Sequence, residues 1–221
     1  MHGRQILITA GPTFAPLDSV RSIVNRSSGK MGCALAEECL RQGAIVHYCA
    51  GRTSLTPSSD SPALTIHSFE TVDDLAALIQ RCLATNRIDA LLMAAAVLDY
   101  VPETMLENKK SSQDERWQIT LKRSMKIIEQ IRKWDTQVLI VGFKLETNIT
   151  QDELIAKAED LIRRSDAAMV LANRTEEVTE KNHSGILVER INEREIIVSE
   201  PLSTREAVAR KIVERLARHL R

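Results

Sequence analysis

The sequence predicts an α/β protein: a doubly wound, mainly parallel, Rossmann-like sheet with helices on both faces and an added antiparallel hairpin or arm. Three observations carry that expectation. Short apolar runs such as QILITA (5–10), IDALLMAAAV (88–97), VLIVGFKL (138–145) and AMVLA (168–172) have the length and composition of strands buried on both faces. Longer stretches between them carry apolar residues at helical spacing. The two kinds of segment alternate along most of the chain, as βαβ crossovers require. The 221 residues suit one domain, 1–221, with a mobile loop or arm at about 99–123 and a hairpin at about 185–198.

Gln5 to Ala10 form the first strand, and Gly11-Pro12 ends it. The link from Gly11 to Ser28 far exceeds the usual strand-to-helix loop of about 2–6 residues, which marks it as functional. Pro12, Pro16 and Asp18 stiffen and turn it. A helix from about Lys30 to Gln42 sets Ala34, Leu35 and Cys39 on one face, and Gly43 closes it. Strands follow at Ile45 to Ala50 and at Leu64 to Phe69, with a loop rich in Ser, Thr and Pro between them. Thr71 caps the helix VDDLAALIQRCLATN, whose first turn holds Asp73 and Asp74 where the dipole favours them. Ile88 to Val97 form the fourth strand, with small residues that let a ligand approach its carboxyl end.

Asp99 to Arg123 break the rhythm. The stretch is polar, carries Lys109-Lys110, and ends in the alternating run WQITLK, so it reads as a mobile loop feeding an antiparallel strand. Met125 to Trp134 form an amphipathic helix and Val138 to Leu145 the fifth strand. Thr150 or Gln151 opens a helix to about Arg164, and Ala168 to Ala172 form the sixth strand. Gly185 to Val198 read as a hairpin around Asn192-Glu193. The last helix, Thr204 to His219, sets Val208, Ile212 and Leu216 on one stripe.

One stretch has the chemistry of an anion cradle. Arg21 to Gly32 read RSIVNRSSGKMG, with serines, glycines, an asparagine and three cations in twelve residues. A loop of this kind opening a helix presents unpaired backbone N–H groups and the positive end of a helix dipole, so phosphate or carboxylate is its natural guest. An ordinary capped turn is the other reading of the same residues. The loops at Gly11, Asp99, Phe143 and Asn173 all leave carboxyl ends of strands and should meet the cradle in one crevice.

Composition excludes several classes. Lys plus Arg (30) balances Asp plus Glu (30), so no general field attracts nucleic acid or a membrane, and any cationic site is local. Aromatic residues make up only 3%, which argues against a base-stacking platform. Cys33, Cys39, Cys49 and Cys82 form no C-x-x-C pair and no zinc spacing, and read as buried free thiols. No apolar run is long enough for a membrane span or a signal peptide, so a cytoplasmic location is expected. Neither G-x-G-x-x-G nor G-x-x-x-x-G-K-[ST] is present, which counts against a standard dinucleotide site and a P-loop.

The order ITAGPT (8–13), LDSVRSIVNRSSGKMG (17–32), AAAVLDY (94–100), the lysine pair at 109–110, VGFKLET (141–147) and LAN (171–173) resembles the phosphopantothenoylcysteine synthetases over nearly the whole chain. The resemblance is to the free-standing form, without the flavin-dependent decarboxylase half. It implies a ligase that joins 4′-phosphopantothenate to L-cysteine in coenzyme A synthesis. A nucleoside triphosphate, CTP ahead of ATP, would convert the carboxylate to an acyl-nucleotidylate with loss of pyrophosphate, and the cysteine amine would then displace the monophosphate. It further implies Mg²⁺ and a homodimer, with no nucleic-acid or membrane partner.

By the same resemblance, Asn25 contacts the activated acyl group, where an amide can donate to a developing oxyanion and still accept. Arg21 is held beside the substrate, and Lys109 on the mobile segment neutralises the α-phosphate, with Lys110 its rival. Gly11, Ser28 and Gly29, with Met93, Ala94 and Ala95 at a strand end, meet the nucleotide. Asp99 serves ribose or metal, and Met125, Lys126, Ile127, Ile128 and Phe143 surround the base. The metal's ligands are left undefined. The chain departs from the family pattern at Phe14-Ala15, Lys110, Met125 and Arg174, and has Arg163-Arg164 where triphosphate-contacting lysines are expected. Two other classes suit the same fold: an NAD(P)-binding reductase, against which the missing glycine fingerprint counts, and a non-catalytic nucleotide-binding module.

Overall fold

The computed structural model describes residues 1–179, 183–192 and 195–220. Among them the main sheet has eight strands: β1 (Gln5–Ala10), β4 (Ile45–Gly51), β5 (Leu64–Phe69), β6 (Ala90–Met93), β9 (Leu139–Glu146), β10 (Met169–Arg174), β11 (Ile186–Arg190) and β12 (Ile196–Val198). Their spatial order is β12-β11-β10-β9-β6-β1-β4-β5. The six from β10 to β5 run parallel, and β11 and β12 add an antiparallel edge. Two small antiparallel pairs lie outside it: β2 (Phe14–Pro16) with β3 (Ser22–Val24), and β7 (Tyr100–Pro102) with β8 (Leu121–Arg123).

Strand alternation sorts the core into two layers. Ile6, Ile8 and Ala10 of β1 face α1 (Lys30–Arg41) and α5 (Arg205–His219), packing with Leu35, Cys39, Val208, Ile212 and Leu216. Leu7 faces the opposite layer, where Leu75, Ile131 and Leu154 come from α2 (Val72–Thr85), α3 (Ile127–Trp134) and α4 (Gln151–Ser165). The helices on both faces make the fold doubly wound and Rossmann-like. Thr71 and Thr150 each form a reciprocal capping box, with Asp74 and Glu153, so Thr150 is the residue that opens α4. Among the described residues no helix is long and apolar enough to cross a membrane.

The structure differs from the sequence expectation in four places. The long link after β1 contains its own hairpin, β2–β3. The fourth strand stops at Met93, because Ala95 N–H turns to Thr9 Oγ1 (3.2 Å) and Ala96 N–H to the Gly11 carbonyl (2.9 Å). Helix α3 starts at Ile127, leaving Met125 and Lys126 in the approach to it. Strand structure in WQITLK is confined to its end, in β8. Of the expected hairpin turn, Glu193 lies outside the described residues.

Candidate active site

The strand order reverses between β1 and β6, so the connections leaving their carboxyl ends diverge and open a crevice. A cleft of about 910 Å³ occupies this place. Ser28, Gly29, Lys30, Met31 and Gly32 line it on one side, and no side chain caps α1 in competition for its first N–H groups. Gly29 adopts a left-handed conformation (φ 77°), and an added Cβ would collide with the Ser54 hydroxyl. Leu55 N–H donates to the Ser28 carbonyl (3.0 Å), so the 51–55 loop buttresses the turn from behind.

Met93, Ala94 and Ala95 line the facing side, with Asn25 at the end of β3. The Asn25 Nδ2 donates to the carbonyls of Val97 (3.2 Å) and Ala96 (3.4 Å). Its donors are thus engaged by the strand end and its Oδ1 is the atom left to accept; of the two capacities the sequence reading gave the amide, donating to an oxyanion and accepting, the second is the one this geometry leaves open. Asp99, Met125, Lys126, Ile127, Ile128 and Phe143 complete the predicted part of the lining. Lys126 Nζ pairs with Asp99 at 2.5 Å, but both side chains are more than half exposed, so an incoming ligand displaces this bridge at small cost.

Gly11, Arg21 and Lys109 lie outside the lining. Gly11 (φ 80°) packs against Ser54, where a Cβ would clash, and supports the cradle loop. Arg21 pairs with Asp18 (2.5 Å), donates to the Lys110 carbonyl (3.3 Å) and lies 5.5 Å over the Trp117 ring. Lys109 is exposed on the arm. Its rival Lys110 gives its ammonium to Asp114 and its N–H to Asp18. Asp18 is 3% exposed. Burial pushes its carboxyl up, but N–H groups of Val20, Lys110 and Arg21 and the Arg21 guanidinium outweigh that and hold it at about 2.

Of the arginine pair at 163–164, only Arg164 reaches the cleft, bridging to Glu129 and to Asp160 (2.8 Å). Arg174 pairs with Glu177 away from the lining, while the neighbouring Asn173 lines the cleft and donates to the Ser184 carbonyl. Sequence reasoning missed Thr179, His183 and Arg205, which close the far end. Arg205 is the first residue of α5, and its Nε is shielded from solvent without a hydrogen-bond partner among the described residues. A cation there opposes the helix dipole, a local signal that the sequence did contain. Burial, and then the Arg205 charge, push the His183 pKa down to about 4, so this ring is neutral at neutral pH.

Residues 1–220 match the family described as DNA/pantothenate metabolism flavoprotein C-terminal domain. The chain is similar to the coenzyme A biosynthesis bifunctional protein CoaBC of Thermococcus kodakarensis, 34% identical over 191 residues, which are 86% of this chain and 46% of that protein. The CoaBC of Bacillus subtilis is 34% identical over 171 residues, 75% of this chain and 41% of its own length. The chain therefore spans less than half the length of these curated relatives. Among solved structures, the DNA/pantothenate metabolism flavoprotein from Streptococcus pneumoniae superposes with a TM-score of 0.87 at 26% identity, covering 98% of this chain and 100% of that one. The C-terminal domain of a CoaBC superposes with a TM-score of 0.77 at 28% identity, covering 100% and 97%.

Proposed function

The chain belongs to the DNA/pantothenate metabolism flavoprotein C-terminal domain family, and on that premise we propose that it is a phosphopantothenate–cysteine ligase of coenzyme A synthesis. One observation carries the reading: Asn25, the turn that opens α1 and the Met93–Ala95 strand end converge on a single cleft. A carboxylate is a poor electrophile and must first gain a leaving group. In the proposed first step the phosphopantothenate carboxylate attacks the α-phosphorus of CTP, or less favourably ATP, giving an acyl-nucleotidylate and pyrophosphate. In the second, the cysteine amine attacks the acyl carbon and the nucleoside monophosphate departs.

Two anions must meet in the first step, so donors and cations have to be in place beforehand. The first N–H groups of α1 and Arg164 supply them from the cleft wall. The segment around Met125 to Ile128, with Phe143, suits the base. Asn25 Oδ1, with its Nδ2 turned to the strand end, suits an amine N–H as donor and hence the second step. Lys109, held on the arm outside this lining, would reach an α-phosphate by serving the cleft of a second copy, which gives the proposed homodimer a chemical reason. Mg²⁺ is held by one or two carboxylates plus substrate phosphates, and Asp99 and Glu129 in the lining fit that need. When bound it would offset triphosphate charge.

The test is pyrophosphate release with phosphopantothenate and Mg²⁺ and each of CTP, ATP, UTP and GTP in turn, followed by cysteine. Release that depends on phosphopantothenate, fastest with CTP, and ligation on adding cysteine are expected. No release with any nucleotide would rule out the ligase in favour of a non-catalytic module.

A further inference from the structure

We propose that Asp18 is the positioning residue of the lysine segment: a buried carboxylate at the tip of the β2–β3 hairpin that holds the 106–117 stretch, with Lys109 and Lys110, in register. Its consequence for catalysis rests on the ligase reading, while the latch itself does not.

The two oxygens of Asp18 do different work. Oδ1 accepts Val20 N–H (2.9 Å) and Arg21 N–H (2.8 Å), which closes the hairpin tip. Oδ2 accepts the Arg21 Nη1 (2.5 Å) and the Lys110 N–H (3.0 Å), a partner 92 residues along the chain. A turn-forming aspartate needs only the first pair. Aspartate is almost never fully buried unless paired, and here the pairing joins the hairpin tip to the arm. Leu106 N–H donates to the Leu17 carbonyl (3.0 Å), so the arm is tied on both sides of Lys109. Arg21 seals the contact from above through the Lys110 carbonyl and the Trp117 ring. The other end of the hairpin leads into the cleft: Phe14 pairs with Val24, and Asn25 is the next residue. Strands of three residues span roughly 10 Å. The anchor of the lysines and the amide in the cleft therefore share one short, rigid lever.

Asp18→Asn tests this, because its amide oxygen can still close the tip while its NH₂ meets two donors, the Lys110 N–H and the Arg21 guanidinium. The readout is acrylamide quenching of Trp117 in a Trp134→Phe background, with tryptic cleavage after Lys109, Lys110 and Arg116. Both should rise several-fold while the melting transition stays cooperative. Lys110→Pro, which deletes the other end of the same bond on the exposed arm and also abolishes cleavage at 109 and 110, should raise Trp117 quenching and cleavage after Arg116 in the same way if D18N fails to fold. Unchanged quenching and cleavage in both variants would overturn the latch. With the latch shown, pyrophosphate release should fall roughly 10-fold or more with the cysteine KM unchanged. A freed arm with an unaltered rate would overturn the positioning role. A parent chain that releases no pyrophosphate would sink the ligase reading and leave the latch to be decided by quenching.

Discussion

A methyl group added at Gly32 sets two effects of similar size against each other. Gly32 is the third residue of α1, and alanine in place of glycine in a helix is worth about 0.8–1.0 kcal/mol. Here, however, the new Cβ would land on the Ala10 Cβ, well inside contact distance, and 3.2 Å from the Tyr48 hydroxyl. Unstrained carbon contacts lie at about 3.5–4.0 Å. Ala10 and Tyr48 are both fully buried, and the Tyr48 hydroxyl is committed to the Leu55 carbonyl at 2.9 Å, so neither can retreat freely. Overpacking of this kind costs about 1–3 kcal/mol, which leaves a net loss of about 0–2 kcal/mol after the propensity gain. Urea unfolding of Gly32→Ala should show a loss near 1 kcal/mol, and adding Ala10→Gly should recover about that much as coupling. Nucleotide affinity should fall as well, because Gly32 lines the cleft and α1 must shift to make room. A Gly32→Ala protein that gains the full propensity increment, with no coupling to Ala10→Gly, would refute the packing of α1 on β1 described above.

Thr71→Ala removes the hydroxyl that accepts Asp74 N–H at the start of α2, and should cost about 1 kcal/mol by thermal or urea melts, with Thr71→Ser close to the parent. Asn25→Asp sets a carboxylate against the carbonyls of Ala96 and Val97, and should slow product formation far more than it shifts the melting temperature. An unaltered rate would remove Asn25 from the site. His183 makes stability depend on pH. Unfolded, its ring takes a proton near 6.5, whereas folded it waits until about 4. The unfolded state thus binds more protons between these values, and stability declines as pH drops from 6.5 towards 4 and levels off below. Denaturant melts across that range should show a shallower slope for His183→Gln than for the parent; identical slopes would refute the half-buried, neutral ring.

Local signals made much of the fold legible. The apolar run of β1, the Thr71 cap and the left-handed Gly43 after α1 each follow from a few neighbouring residues. That the turn at 28–29 opens α1 was legible for the same reason, because a polar glycine-containing turn between strand and helix is a local pattern. Residues 94–97 misled because small apolar residues read as strand, whereas the hydrogen bonds that Ala95 and Ala96 donate to Thr9 and Gly11 draw them out of the sheet.

Chain order and side-chain chemistry by themselves determined the alternating α/β scheme, the absence of the two standard phosphate-loop motifs and the identity of the turn at the head of α1. Tertiary structure decided which residues meet: that Arg164 and not Arg163 reaches the cleft, that Arg205 closes it from the last helix, and that Arg21 serves Asp18 and Trp117 away from it. The physical reason is range. Strands, caps and turns are set by interactions within a few residues, while the partner of a buried charge is chosen by sheet order and burial, which join positions as distant as Asp18 and Lys110.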